Sequence, residues 1–448
     1  MPGRHDTIAA IATPTGAGGI GIVRLSGASA RSVAEAICGR RLKPRRAELV
    51  KFRDQHRQLI DQGIALYFVG PHSFTGEDVV ELQAHGAPVV LQQLVKAAVA
   101  LGARPARAGE FSERAYFNGK IDLAQAEAIA DLIASQSAAQ ARAALRSLDG
   151  EFSQRVQALQ AALIHARLGI EAAIDFAEEE IDFLSDGHLR AELADLTASV
   201  HAVLQATRHG QRLRDGLHAV LIGRPNAGKS SLLNALAGAD RAIVTALAGT
   251  TRDVLREPVL VDGMVITLVD TAGLRASTDL IEQAGMQRAR GELERADLAL
   301  IVLDPAEPEA LDALVAEAPA AAMRLIVHSK MDLSPSAALA PSGDGEVHIG
   351  VSAKTGAGLD QLRTLLAQFA GCGDGGDGSF SARARHVAAL ERVAAHVALA
   401  ESRLLIERAG ELAAEELKLA QQALSELTGE YLADDLLGAI FGTFCIGK

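Results

Sequence analysis

Residues 217–238 read LHAVLIGRPNAGKSSLLNALAG, an apolar run, a loop bounded by Gly223 and Gly228, and the opening of a helix. This order is that of a phosphate-binding loop: a buried strand delivers the chain to a tight turn, and a helix starts at its far end. Glycines at 223 and 228 let the backbone wrap closely, so that its N–H groups face phosphate oxygens. The positive end of the following helix adds to their pull. Lys229 is expected to reach the terminal phosphates and Ser230 to ligate Mg²⁺, with Asn226, Ala227 and Ser231 completing the loop's contacts.

Four further motifs follow in order. Gly249-Thr250-Thr251-Arg252-Asp253 offers Thr251 as a second hydroxyl ligand of Mg²⁺, on a loop that a γ-phosphate would hold and hydrolysis release. Asp270-Thr271-Ala272-Gly273 ends the apolar run MVITLVD. An acid at that place suits a water-mediated Mg²⁺ contact, and Gly273 is placed to give its N–H to the γ-phosphate. Ser329-Lys330-Met331-Asp332 follows MRLIVHS. Asp332 can accept from both the N1–H and the amino group of guanine, a pair that adenine does not offer. GTPases commonly carry Asn where Ser329 stands, so a weaker hold on the base is expected. Ser352-Ala353-Lys354 fits a loop giving a backbone N–H to guanine O6. Together the five motifs predict GTP binding.

The hydrolytic step is less plain. Many GTPases orient water with a Gln directly after the DTAG motif. Leu274 stands there, and an aliphatic side chain cannot do this. Arg252 and Arg275 are nearby but read more readily as surface or phosphate-contact residues than as arginine fingers, which leaves Asp279 and Glu282 as candidates to position water.

Strand–helix alternation continues from Leu217 to about 370, which predicts a mostly parallel sheet covered on both faces. Asp262-Gly263, between two apolar runs, predicts one antiparallel hairpin in it. Upstream, residues 7–12, 20–27, 64–69 and 78–83 read as strands and 28–38 and 88–101 as helices, a compact α+β domain. Residues 123–148, 152–177 and 188–213 read as long helices, rich in Ala, Leu, Gln and Glu. The stretch GCGDGGDGS at 371–379, five of nine residues glycine, reads as a boundary. Helices resume beyond it with an apolar stripe of Val387, Leu390, Val393, Val397 and Leu404. The expected division is residues 1–119, a helical part at 120–215, the nucleotide domain at 216–372, and a second helical part at 380–448. The nucleotide domain thus interrupts a helical one.

Composition sets outer limits. The chain has 448 residues, long enough for several cores, and a net charge of −12, which excludes a wholly basic nucleic-acid binder but not a local basic face. Cys38, Cys372 and Cys445 are far apart, so neither a disulfide framework nor a cysteine zinc site is expected, in keeping with a reducing cytoplasm. The start has no secretory pattern, and no run approaches the roughly 18 apolar residues of a membrane span. Gly16, Gly18 and Gly21 fit a dinucleotide fingerprint but open a strand rather than a helix. Cys445, fourth from the end, lacks the aliphatic context of a prenylation box. As a thiol it reads more readily as a packing residue than as a catalytic one. The thirteen His show no zinc spacing, and the run Glu178-Glu179-Glu180 reads as a solvated helix end.

The segment GRPNAGKSSLLNAL…IVTALAGTTRDV…DTAGLR resembles the TrmE–Era group of GTPases without separating ribosome-assembly relatives such as Era or Der. HSFTGEDVVELQAHG at 72–86, AGEFSERAYFNGKIDLAQAEA at 108–128 and the final Cys445-Ile446-Gly447-Lys448 resemble the MnmE (TrmE) family, over essentially the whole chain. The resemblance implies an α/β plus α+β and all-α protein: a Ras-like G domain inserted in a helical domain, after a folate-binding-like, homodimerising α+β domain. It implies contacts to a methylene- or formyl-tetrahydrofolate at Arg24, Glu81, Lys120 and Lys448. It implies K⁺ held by Asn226 and by the loop Thr245, Ala246, Leu247, Ala248, Gly249 and Thr250, chiefly at Thr245, Leu247 and Thr250, in place of an arginine finger. Glu282 matches the family's water-positioning glutamate. The implied activity is K⁺-stimulated GTP hydrolysis in tRNA modification. With a flavoprotein partner, MnmG, in a hetero-oligomer, it adds an aminomethyl or carboxymethylaminomethyl group to C5 of the wobble uridine.

Overall fold

The structure is a computed structural model and describes residues 6–175, 187–237, 256–261, 264–270, 296–307, 310–319, 323–333, 347–369, 379–429 and 434–447. The chain folds as two compact units, one of residues 1–130, 152–196 and 392–448, the other of residues 131–151 and 197–391.

The first unit holds a six-stranded sheet in the order β3-β4-β5-β2-β1-β6, built from β1 (Ile8–Ile11), β2 (Gly18–Ser26), β3 (Glu48–Arg53), β4 (Leu59–Phe68), β5 (Val79–Gly86) and β6 (Arg104–Pro105). Helices α1 (Ala30–Cys38) and α2 (Pro88–Ala100) bury Val33, Ile37, Leu91 and Leu94 with Val23, Leu25, Phe52, Val80 and Leu82 of the sheet. Alternation is the cause: β3 buries every second residue, Glu48, Val50 and Phe52, and exposes Leu49 and Lys51. Strands β3 and β6 were absent from the sequence reading. The first has charged residues at three of its six positions and lies at an edge, and the second has only two residues. Helix α3 (Glu110–Phe117) follows the sheet.

The expected helix 123–148 is two, α4 (Leu123–Ala134) and α5 (Ala138–Leu148). Ser137 is the reason: its backbone is extended and its Oγ accepts from the Gln140 N–H, an N-cap that starts a new helix. Helices α6 (Glu151–Asp175) and α7 (Gly187–Asp215) meet the expected pattern. Glu178, Glu179 and Glu180 lie outside the described residues, as does Cys372.

The second unit holds the other six-stranded sheet, β12-β11-β10-β7-β9-β8, from β7 (Leu217–Ile222), β8 (Arg256–Val261), β9 (Met264–Asp270), β10 (Leu298–Leu303), β11 (Met323–His328) and β12 (Val347–Gly350). Five strands run parallel, and β8 pairs antiparallel with β9 through Val261↔Met264, as the Asp-Gly signal predicted. Strand β10, LALIVL, is buried at every residue, which is why it reads as a continuous apolar run. Helices α8 (Lys229–Ala237), α9 (Leu311–Glu317) and α10 (Leu359–Phe369) accompany this sheet. Helices α11 (Ala384–Leu405), α12 (Gly410–Thr428) and α13 (Asp434–Gly442) end the chain, and of the expected stripe Leu390, Val393, Val397 and Leu404 are buried.

A buried carboxylate fastens the second unit where the chain enters and leaves its sheet. Asp131 accepts from Arg214 Nε at 2.8 Å, Arg383 Nη2 at 2.7 Å and Ser381 Oγ at 2.8 Å. Arg214 ends α7 just before β7, and Ser381 and Arg383 precede α11.

Candidate functional site

The site lies at the carboxyl ends of parallel strands, where the backbone leaves the sheet and its polar groups are free to turn toward a ligand. Strand β7 ends at Ile222 and the phosphate loop begins. A Cβ on Gly223 would come 2.6 Å from the Val302 carbonyl oxygen, so the loop can pass β10 only without a side chain there. Asn226 and Gly228 both take left-handed backbone, φ 65° and 96°, and between them the chain reverses into α8. Lys229, buried, donates from Nζ to the Gly223 oxygen at 2.8 Å and the Arg224 oxygen at 3.0 Å, which seats its ammonium inside the loop. Ser230 and Ser231 lie exposed in the first turn of α8, where the helix's positive end favours an anion such as phosphate.

The motif expected to select guanine follows β11. Ser329 is buried, and its hydroxyl is spent on the protein: Oγ donates to the Ala227 oxygen at 2.6 Å, with the Leu303 oxygen at 3.2 Å. Ser329 thus ties the end of β11 to the loop after β7, a contact that its reading as a base ligand did not include. That long-range partner leaves no local signal in the sequence. Lys330 has φ 53°, and its Nζ pairs with Asp304 Oδ2 at 2.7 Å. That hydrogen bond and the Ala306 N–H hold the Asp304 carboxyl below its ordinary range. Ser352 Oγ donates to Asp332 Oδ1 at 2.7 Å and also accepts the Thr355 N–H at 3.2 Å. Asp332 is thus fixed by the following motif, with its other lone pairs left to accept donors from a base. Ala353 is half-buried and Lys354 exposed on the same turn.

Asp270 closes β9, pairing in register with Leu221 of β7, so the DTAG motif begins beside the phosphate loop. The Asp270 side chain, Thr245 to Thr251, Arg252, Thr271 to Gly273, Leu274, Arg275, Asp279 and Glu282 lie outside the described residues.

In the first unit, Arg24 and Glu81 are cross-strand partners on β2 and β5. Arg24 donates from Nη2 to Glu81 Oε1 at 2.8 Å and from Nη1 to the Gly447 oxygen at 3.4 Å, which brings the carboxyl-terminal motif to this pair. The guanidinium lies 5.8 Å from the centroid of Phe74. Lys120 donates to the Pro71 oxygen at 3.0 Å, on the same loop as Phe74. It also lines a cavity of about 570 Å³ with Tyr116, Phe117, Gln125, Gln157 and Gln160. Lys448 lies outside the described residues, and Cys445 is exposed. Among the described residues no helix is long and apolar enough to cross a membrane, and no cluster of His, Cys, Asp or Glu could hold a metal.

Residues 7–120 match the sequence profile described as the GTP-binding protein TrmE N-terminus, and residues 123–445 match that of the MnmE helical domain. The chain is 58% identical over 452 residues to a tRNA modification GTPase MnmE of Xanthomonas campestris pv. campestris strain B100, covering 100% of both. With that of strain 8004 it shares 58% over 447 residues, 99% of each. Among solved structures, the G domain of the Thermotoga maritima FeoB iron transporter is 25% identical with a TM-score of 0.27, covering 34% of this chain and 98% of that one.

Proposed function

The chain belongs to the MnmE family of tRNA modification GTPases, and on that premise we propose that it is a K⁺-stimulated GTPase that works with a flavoprotein partner, MnmG. Together they add an aminomethyl or carboxymethylaminomethyl group to C5 of the tRNA wobble uridine. GTP hydrolysis itself follows from the family. The single observation supporting the assignment of this site is the pair of bonds Ala227–Ser329 and Asp332–Ser352. The first ties the phosphate loop to a motif 102 positions further on, and the second ties that motif to the next one.

The residues fit the nucleotide. Loop N–H groups between Asn226 and Lys229 face phosphate, Lys229 neutralises its terminal charge, and Asp332 reads guanine. Ser230 would offer its hydroxyl to Mg²⁺, with Thr251 as its partner ligand and Asp270 acting through water. Bound Mg²⁺ supplies charge neutralisation to the transferring phosphoryl group. Asn226, whose backbone is left-handed at φ 65°, would hold K⁺ together with the loop at Thr245, Leu247 and Thr250. Glu282 orients the attacking water in place of the Gln that Leu274 precludes.

The rest of the reading assigns 1–119 to a homodimerising, folate-binding domain, 120–215 with 380–448 to the helical domain, and 216–372 to the inserted G domain. Arg24 and Glu81, with Lys120 and Lys448, would hold a methylene- or formyl-tetrahydrofolate that supplies the carbon. A guanidinium suits its carboxylates, and a carboxylate suits the N–H groups of a pterin. The protein works in the cytoplasm.

Reconstitution tests this. The purified chain, the flavoprotein, unmodified tRNA, GTP and a methylene-tetrahydrofolate in K⁺ buffer are expected to raise the mass of the wobble nucleoside. An unchanged mass would contradict the proposal. Equal hydrolysis rates in K⁺ and Na⁺ would remove Asn226 from its role. Turnover surviving Glu282→Ala would pass the water-positioning role to Asp279.

A further inference from the structure

The net charge is −12, yet residues 39–57, GRRLKPRRAELVKFRDQHR, carry eight Lys and Arg against two acids. They form one margin of the first unit's sheet. Residues 40–47 run past the end of β4, where the Arg45 N–H bonds the Tyr67 oxygen at 2.7 Å, and then become β3, the edge strand.

Neither acid offsets the outer charges. Glu48 is buried, accepts the Lys43 N–H at 3.1 Å and pairs with Arg40 at 3.2 Å. Asp54 caps the hairpin, accepting the N–H groups of His56 and Gln58. Three arginines are tied down: Arg40 by Glu48, Arg45 by the His72 oxygen, and Arg53 by the Arg57 oxygen. Arg41, Lys43, Arg46, Lys51 and Arg57 are exposed and, among the described residues, make no side-chain hydrogen bond or ion pair. Arg41 adds only its field to that around Glu35. A lysine or two suffices to keep an open edge from pairing with another strand. Five uncommitted cations do more: they concentrate positive potential on one rim of an acidic protein, where a polyanion can exchange its counterions for them.

We propose that this basic margin receives the phosphate backbone of the tRNA substrate. The inference deepens the tRNA-modification reading and rests on it. Phosphate contacts of this kind fix position and register without reading sequence.

The test uses the full chain and a labelled, unmodified tRNA transcript, with binding followed by anisotropy across 50–300 mM salt. The variant Arg41→Gln, Lys43→Gln, Arg46→Gln, Lys51→Gln removes no bond within the protein. Each lost phosphate contact lowers the salt slope by about 0.7–0.9, so the slope is expected to fall by about 3 and affinity at 0.15 M salt by about two orders of magnitude. Basal GTP turnover and thermal unfolding are expected to stay as in the parent chain. The charge-keeping Arg41→Lys, Arg46→Lys should bind as the parent does. Should the fourfold variant fail to fold, Arg46→Gln, Lys51→Gln alone is expected to lower the slope by about 1.5. Unchanged affinity and slope in a folded variant, with the parent binding, would overturn the inference and leave the tRNA reading intact. So would loss of binding to phosphatidylserine vesicles with tRNA binding retained. A parent chain that binds no tRNA would sink both.

Discussion

Replacing Ser329 with Ala separates two jobs that its motif is usually credited with together. In the structure its hydroxyl proton goes to the Ala227 carbonyl of the phosphate loop at 2.6 Å, with the Leu303 carbonyl behind it at 3.2 Å. The substitution therefore removes one donor and leaves the base-facing Asp332–Ser352 pair untouched. A buried acceptor deprived of its donor costs about 1–3 kcal/mol. Because that acceptor belongs to the loop that binds phosphate, we expect much of the loss in nucleotide affinity. At about 1.4 kcal/mol per tenfold, this is roughly a 5- to 100-fold weakening of GDP and GTP alike. Titration of a fluorescent guanine nucleotide, with ATP as competitor, provides the assay. The expected result is weaker binding with the guanine-to-adenine preference kept. Unchanged affinity, or a preference that collapses while affinity holds, would refute the argument, because Ser329 would then be reading the base.

Three other perturbations follow from the same geometry. Asp332→Asn keeps the bond from Ser352 but exchanges a carboxylate oxygen for an amide N–H₂; hydrogen bonds to charged groups contribute about 1.5–3 kcal/mol, so GTP should bind roughly 10- to 150-fold more weakly while a xanthine nucleotide, with a carbonyl in place of the amino group, gains, and competition binding would show it. Asp131→Ala leaves Arg214 and Arg383 without the buried carboxylate that joins them, and breaking a buried pair costs about 3–5 kcal/mol, so thermal unfolding should show a marked drop in stability, while an unchanged melting temperature would contradict the fastening role. In the first unit, burial pushes the Glu110 carboxyl up, but hydrogen bonds from Arg104 and the Arg107 N–H and the charges of Arg104 and Arg114 outweigh it and hold it below the ordinary range. Its contribution is thus present above the ordinary carboxylate pKa and lost as pH falls through the lowered value, and Glu110→Gln should flatten acid unfolding of the chain below about pH 4.5.

What the sequence made legible was whatever depends on near neighbours. The phosphate loop is readable because strand, glycines and helix sit within 22 residues of one another. The antiparallel β8–β9 pair is readable from Asp262-Gly263 for the same reason. The Ser329–Ala227 bond spans 102 positions and has no periodicity to betray it. The break between α4 and α5 was missed because Ala-rich flanks on both sides favour helix, and the single Ser137 cap outweighs them locally. Strand β3 escaped because its alternation is blurred: a charged residue, Glu48, is buried and an apolar one, Leu49, is exposed. The gathering of Arg24, Glu81 and Gly447 joins three distant segments. Only the resemblance to the family placed the pair and the carboxyl-terminal motif in one site.

Mass spectrometry of tRNA wobble nucleosides, from cells with and without this chain, tests the central claim most directly. The account predicts that the C5-aminomethyl-type uridines disappear without it and return with the intact gene. Unchanged nucleosides would leave a GTPase in place but contradict its role in building them.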